Sequence, residues 1–365
     1  MEREIMGGRE TENEKAEIDR QILGLFEKRL RLTDGAVMQG AAAPDENSQY
    51  DAALLDFINE LGLNRARQLD AVRDGTGAKF LEALSPAGGK DENVKTRVAA
   101  QGVPGSYAGI AAKKLCPGGE IVFYETWEEV FTAVGRGEAD SGVLPIENST
   151  AGSVLEIYDL LLKYRFYISG AIKLAINHCL LGVPGATENS VTDVYSHPQA
   201  FSQCRGFIKE HGYSRHVCLN TAAAAKMVAG SGDVTKAAIA SSDCAEIYGL
   251  DVIRAPIQQE GGNRTRFISV TRRPETHPGA DRISLVFALP HQTGSLYRIL
   301  ARFAQGGHNL TKIESRPVPD RPFEYYFYVD FCGNVGAEKT AAMLGELQKE
   351  LPVFHFLGNY GETEE

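Results

Sequence analysis

Between about Val98 and Arg272, short apolar runs alternate with stretches of helical periodicity, and this alternation restricts the fold more than any other feature of the sequence. Strand patterns fall at Arg97–Ala100, Ile121–Tyr124, Ser141–Pro145, Val191–Tyr195, Val217–Leu219, Ala237–Ala240 and Phe267–Val270. Strands that alternate with helices can be covered by them on both faces of a sheet, so the region reads as α/β. The long apolar run Ile168–Val183 is either one continuous strand or a crossover between two lobes. Two lobes with a cleft between them, the architecture of periplasmic binding proteins, would hold a small ligand.

Two further regions flank this one. From about Glu10 to Leu84, Ile18, Ile22, Leu25, Phe26, Arg29 and Leu32 recur at helical spacing, followed by Ala53, Leu54, Phe57, Ile58 and Leu61. That spacing predicts an all-α region. Ser85 to Glu92 is polar and carries Pro86, Gly88 and Gly89, the composition of a linker. From about Arg282 to Gly358 the order is strand (Ile283–Leu289), helix (Gly294–Gln305), strand (Leu310–Arg316), strand, helix (Ala337–Glu350) and strand (Val353–Leu357). In the third of these strands Phe323, Tyr325, Phe327, Val329 and Phe331 share one face by strict alternation. The βαββαβ order is that of a ferredoxin-like sandwich. The expected division is therefore multidomain: 10–85 helical, 86–96 linker, 97–273 two-lobed α/β and 282–360 ferredoxin-like.

A net charge of −10 over 365 residues argues against nucleic acid as a partner, while leaving room for a small anion at a locally positive site. No apolar run reaches the roughly 18 residues that a bilayer demands, so no membrane partner is expected. The glutamate-rich stretch Met1–Lys15 lacks a secretory pattern, which sets the expected location as cytoplasmic. Cys116, Cys179, Cys204, Cys218, Cys244 and Cys332 are scattered without metal-ligand spacing, as in a reducing compartment. Gly102-x-x-Gly105 is no dinucleotide fingerprint and no Walker lysine occurs, so no nucleotide and no metal are expected.

Several helices of the middle region open directly after a strand on small or hydrogen-bonding residues. They begin at Gln101–Tyr107, Glu147–Ser153, His197–Gln199 and Asn220–Thr221. Free N–H groups and the positive end of the helix dipole make such a turn an anion site, although one turn alone means only a helix cap. Four in one region, at strand ends, point to carboxylate recognition. Asn263-Arg264-Thr265-Arg266-Phe267 follows Gly261-Gly262. By pattern alone it is a turn with solvated arginines; functionally it would set a hydroxyl beside guanidinium groups suited to carboxylates. His197, like the other histidines, reads as packed or capping.

The stretches Gln101–Tyr107, Val143–Val154, Ser196–Gln199, Asn220–Lys226 and Asn263–Phe267 resemble prephenate dehydratases, in that family's order and across the whole middle region. The region from Arg282 to Gly358 resembles the ACT regulatory domain, with Gly294–Tyr297 and Glu314–Pro317 at the phenylalanine-binding positions. There Ser295-Leu296-Tyr297 departs from the commoner Ala-Leu-Val. The helical amino-terminal region resembles a chorismate mutase domain through Ile18–Leu23 and Phe26–Arg29. Glu12, Gly40 and Asp45–Leu55 lack the expected charges, and Gly75 and Gly77 break its third helix. That mutase stabilises a dianion with fixed positive donors, so this domain is expected to be a relic.

The resemblance implies conversion of prephenate to phenylpyruvate, water and carbon dioxide without cofactor. It places Thr265 at the departing ring hydroxyl, with Glu147, Asn148 and Gln199 orienting the substrate or tuning the proton path. Ser106, Ser149, Thr150, Asn220, Thr221 and Arg266 would contact carboxylates. Gly294, Ser295, Leu296, Asn309, Leu310, Glu314 and Ser315 would bind L-phenylalanine between paired ACT domains, in a homodimer or homotetramer. Cutting the chain after about Pro274 is expected to abolish feedback and leave the cleft chemically complete. Two other classes compete. A bifunctional enzyme would keep its mutase active, and a non-catalytic phenylalanine sensor would bind the amino acid without turning over prephenate.

Overall fold

The computed structural model describes residues 67, 70–84, 96–259, 261–276, 278–318, 321 and 323–365. The helical positions read between 18 and 61 and the linker residues 86–95 lie outside the described residues. Two compact units emerge. One holds the described residues up to 83 with 287–327 and 335–354, and the other holds 96–286, 328–334 and 355–365.

The larger unit contains both lobes. Its first sheet uses β1 (Arg97–Gln101), β2 (Glu120–Tyr124), β3 (Ser141–Asn148), β4 (Gly152–Ser153), β5 (Tyr167–Ala175) and β11 (Arg264–Thr271), with β16 (Glu362–Glu364) at its edge. The order is β16-β5-β11-β3-β1-β2, with β4 on β3. The second sheet uses β6 (Cys179–Gly182), β7 (Asp193–Ser196), β8 (Ser214–Val217), β9 (Lys236–Ala240) and β10 (Asp251–Arg254), in the order β10-β6-β9-β7-β8. The apolar run at Ile168–Val183 is thus a crossover. Ile176-Asn177-His178 separates two strands that join different sheets.

Local chemistry explains the helices that pack on the first sheet. Ser106 caps Tyr107–Leu115 by accepting from Gly109 N, and Thr126 with Glu129 forms a reciprocal capping box on Trp127–Arg136. Small residues set the close packing: Ala100, Ala111 and Ala112 are fully buried between the first sheet and its helix. The strand expected at Val217–Leu219 ends at Val217, because Cys218 to Asn220 turn into the helix Thr221–Ser231.

The ferredoxin-like order is observed: β12 (Arg282–Ala288), helix Ser295–Gln305, β13 (Leu310–Pro317), β14 (Tyr325–Cys332), helix Glu338–Glu350 and β15 (Val353–Tyr360). Its sheet runs β13-β14-β12-β15. The alternation read at 323–331 holds only in part. Phe323 is exposed with positive φ before the strand begins, and Tyr328 and Asp330, on the opposite face, are buried too. In the smaller unit, helix Thr76–Leu84 lies against helix Glu338–Glu350. A Cβ on Gly77 would stand 2.8 Å from Ala342 N, and Lys349 Nζ donates to Thr76 Oγ1 at 2.6 Å. No helix among the described residues is long and apolar enough to cross a membrane.

Candidate active site

Strands β3 and β11 are antiparallel neighbours whose register sets Thr265 opposite Asn148 and Arg266 opposite Glu147. Successive side chains of a strand point to opposite faces, so Thr265 and Asn148 share one face, and Glu147 and Arg266 the other. This separates residues that the sequence placed together.

Asn148 organises the first face. Its Oδ1 accepts from the backbone N–H groups of Thr150 (3.1 Å) and Ala151 (3.0 Å), an Asx turn. Backbone N–H groups only donate, so the amide orientation is fixed and Nδ2 must face inward. There Nδ2 donates to Thr265 Oγ1 at 2.9 Å and to Asn263 Oδ1 at 2.9 Å. Thr265 is 9% exposed; its oxygen already accepts a bond, which leaves its proton to donate. Thr150 Oγ1 donates to Asn148 Oδ1 at 2.7 Å. Ser149 is exposed, its oxygen accepting from Arg264 N at 3.0 Å.

Gln199 and Gln203 bring the second lobe to this face. Gln199 Nε2 lies 3.5 Å from Asn148 Oδ1, and Gln203 Nε2 donates to Thr150 Oγ1 at 3.4 Å. Gln203 was not read from the sequence. The signal was present, since Gln199 and Gln203 are four residues apart and share one side of the short helix Pro198–Gln203. Other expected contacts serve as caps. Ser106 is buried as the cap of its helix, and Asn220 caps Thr221–Ser231 by accepting from Ala223 N at 2.7 Å. Thr221 is the first residue of that helix, half-buried. His197 caps its own helix through Nδ1, as the sequence suggested, and burial lowers its pKa from 6.5.

Arg266 corrects the reading of a carboxylate contact. It is 7% exposed, and its guanidinium is taken up by protein groups on the reverse face. Nε donates to Glu362 Oε1 at 2.5 Å, Nη1 to Asp330 Oδ2 at 2.5 Å, and Nη2 to Tyr360 Oη at 2.9 Å. Ser284 Oγ donates to Asp330 Oδ1 at 2.6 Å, and Lys173 Nζ is 3.0 Å from Glu362 Oε2. Burial disfavours the charged guanidinium, but Tyr360, Asp330 and Glu362 outweigh it and hold Arg266 protonated. Glu147, across from Arg266, likewise lies on the face away from Thr265. A chain cut after Pro274 keeps the residues of the Asn148–Thr265 face but loses the partners of Arg266 on the reverse face. Glu362, Asp330 and Tyr360 all come from beyond that point, and β16 pairs in parallel with β5 of the catalytic sheet.

The residues expected to bind phenylalanine gather in the smaller unit. Gly294 has φ of +79°, which suits glycine, and starts the helix in which Ser295 is buried and Leu296 half-buried. Asn309 is exposed and Leu310 half-buried at the start of β13, where Glu314 and Ser315 follow.

The chain matches the prephenate dehydratase family over residues 98–275. It is 40% identical over 347 residues to arogenate dehydratase/prephenate dehydratase 1 of Arabidopsis thaliana, a chloroplastic protein, covering 90% of this chain and 88% of that one. Among solved structures it is similar to prephenate dehydratase from Arthrobacter aurescens in complex with L-phenylalanine. That match has TM-score 0.67 and 28% identity, covering 73% of this chain and 90% of the other. It is also similar to GqqA, described as a novel type of quorum-quenching acylase, with TM-score 0.67 and 34% identity over 73% of this chain and 98% of that one. With a two-lobed α/β unit followed by an ACT-like βαββαβ region, the chain belongs to the prephenate dehydratase family.

Proposed function

We propose that the cleft converts prephenate to phenylpyruvate, and that Thr265 donates a hydrogen bond to the ring hydroxyl as it departs. The observation that carries this reading is the direction of the Asn148–Thr265 bond, which leaves the threonine proton free. The carbon–oxygen bond breaks and the hydroxyl leaves as water, taking up one proton. The electron pair of the ring carbon–carboxylate bond moves into the ring as carbon dioxide departs. Aromatisation drives the step. A threonine is too weak an acid to surrender its proton outright, so its contribution is hydrogen bonding that strengthens as charge develops on the oxygen. Ser149 and the helix starts at Ser106 and Asn220 remain the proposed carboxylate contacts, with Gln199 orienting the ring; Thr150 leaves that set, because its hydroxyl and its backbone N–H both donate to Asn148.

Arogenate carries the same ring with an amino-acid side chain, and the names of the plant relatives include it. Acyl-amide hydrolysis is disfavoured by the geometry. The hydroxyls of Ser149, Thr150 and Thr265 bond to amides and backbone groups, and none meets an imidazole among the described residues. A reaction panel tests all these readings. The purified full-length chain should form phenylpyruvate from prephenate and leave chorismate unchanged, the relic reading of residues 10–85. No turnover of prephenate or arogenate would reduce the protein to a sensor. Conversion of chorismate to prephenate would restore the bifunctional alternative.

Regulation belongs to the ACT-like region, proposed as 282–360 after a dehydratase domain at 97–273. The related Arthrobacter structure contains L-phenylalanine. By that likeness, Gly294, Ser295, Leu296, Asn309, Leu310, Glu314 and Ser315 would hold the effector in a homodimer or homotetramer. Inhibition from there is a coupling energy between two states, typically about 1–3 kcal/mol, and is reciprocal. Phenylalanine should therefore raise KM only up to a limit set by that coupling, and Glu314→Ala should weaken its binding by calorimetry without changing uninhibited turnover. Purely competitive inhibition that survives Glu314→Ala would place phenylalanine in the cleft instead. Six free cysteines support a reducing compartment, for which we propose the cytoplasm.

A further inference from the structure

A run of hydrogen bonds leads from Thr265 to a buried imidazole in the crossover between the lobes. Its direction can be worked out link by link. Asn148 Oδ1 is fixed as an acceptor by two backbone N–H groups, so at the 2.7 Å contact Thr150 Oγ1 must donate. Having spent its proton, Thr150 can only accept from Gln203, which must therefore present Nε2 at 3.4 Å. That turns Gln203 Oε1 to the other side, where it meets His178 Nε2 at 2.7 Å. An amide oxygen cannot donate, so His178 Nε2 carries the proton. From the same anchor, Asn148 Nδ2 donates to Thr265.

His178 is 2% exposed and sits between β5 and β6. Its backbone N–H donates to Gln258 Oε1 at 2.9 Å, and Tyr107 presents its ring at 6.3 Å edge-on. Its Nδ1 is buried with no partner among the described residues. Burial lowers the pKa from 6.5, opposed by the bond to Gln203, so the ring is neutral at neutral pH. A neutral imidazole with one proton, at Nε2, is a donor toward Gln203 and nothing else.

We infer that His178 is a positioning residue of the dehydratase reaction. Its Nε2–H holds the Gln203 amide with the NH₂ group toward Thr150 and the cleft, completing a one-way array that ends in the outward proton of Thr265. Without it, the Gln203 amide can turn over and offer oxygen to Thr150. The Thr150 hydroxyl, which already has the distant Asn263 Oδ1 at 3.4 Å beside Asn148 Oδ1 at 2.7 Å, then gains a further acceptor competing for its one proton, and its hold on Asn148 loosens. The inference rests on the dehydratase reading for its kinetic effect, but not for the tautomer.

The test uses two isosteric changes in the full-length chain. The amide nitrogen of glutamine can stand near the place of imidazole Nε2, and that of asparagine near Nδ1. His178→Gln should therefore keep most turnover. His178→Asn should lose roughly 10- to 100-fold in kcat with little change in KM, the scale of a slightly misplaced catalytic group. Gln203→Glu gives an independent reading. A carboxylate there cannot donate to Thr150, so turnover should be low at neutral pH and recover as acid protonates the new side chain. Tyr107, whose ring lies against His178, and Cys179 and Cys204, the sequence neighbours of His178 and Gln203, are all pushed up by burial and stay neutral in that range. Nitrogen-15 NMR of the wild-type imidazole should show a proton on Nε2 and none on Nδ1. Equal kcat for the two His178 variants, a pH-flat Gln203→Glu, or a proton on Nδ1 would overturn the inference. A wild-type chain that turns over nothing while showing the Nε2 tautomer would instead count against the dehydratase reading.

Discussion

Thr265→Ala should lower turnover of prephenate by roughly 10²–10⁴-fold, the range for loss of an aligned donor or acid in the transition state. KM should move far less, because the carboxylate contacts are separate groups. The alanine also removes the acceptor of one Asn148 Nδ2–H, but that nitrogen retains Asn263 Oδ1 at 2.9 Å and Arg264 O at 3.2 Å. The fold should therefore survive, and thermal melting of the variant separates lost chemistry from lost structure. Thr265→Ser keeps the hydroxyl and should retain much of the rate. Steady-state kinetics on the three proteins checks this; a normally folded alanine variant with near wild-type kcat would exclude the role.

Glu362→Ala should cost stability on a scale that few single substitutions reach, about 3–5 kcal/mol, the range for breaking a buried ion pair by removing one partner. Arg266 cannot deprotonate to escape, and solvent cannot reach it where Glu362, Asp330 and Tyr360 enclose it. Removal of residues 361–365 should do at least as much, since it also strips β16 from the edge of β5. Chemical denaturation of the full chain and of both variants measures the difference, and a loss under 1 kcal/mol for Glu362→Ala would refute it. The same pair gives an acid dependence whose sign is fixed. Burial pushes the Glu362 carboxyl up, but Arg266 and Lys173 together bring it below the ordinary 4.5. A group with a depressed folded pKa stabilises above its unfolded value, and that contribution fades as pH falls through the folded one. Wild-type stability should decline below about pH 4.5, and Glu362→Gln should show a shallower decline.

This ion-paired cluster also bears on any truncation used to separate chemistry from regulation. A chain ending before Ser284 would leave Arg266 without its three partners, one residue from Thr265 on the same strand. Loss of activity in such a chain would report a damaged catalytic strand, and would say nothing of feedback.

The sequence by itself determined the element order of the middle and last regions, because period-2 and period-3.6 patterns are local and each strand or helix carries its own. It also singled out the polar segments around Asn148, Thr150 and Thr265 as candidates for ligand contact, at the end of β3 and the start of β11. It could not decide which face each residue serves. Thr265 and Arg266 are adjacent letters in one polar cluster, yet the pairing of β11 with β3 sends them to opposite sides. Nor could it show that Asp330 and Glu362 are buried. Each interrupts or follows an aromatic strand and reads as solvated, but Arg266 lies 64 and 96 residues away along the chain and supplies the charge that makes burial tolerable. Gln203 and His178 stayed hidden for the same reason. The four-residue spacing of Gln203 from Gln199 marks a shared helix side without saying what it faces, a single histidine in an apolar run has no periodic signature, and only the crossing of the two lobes brings the two within bonding distance of each other and Gln203 within reach of Thr150. Burial of a polar group depends on a partner's position in space, which no local pattern encodes.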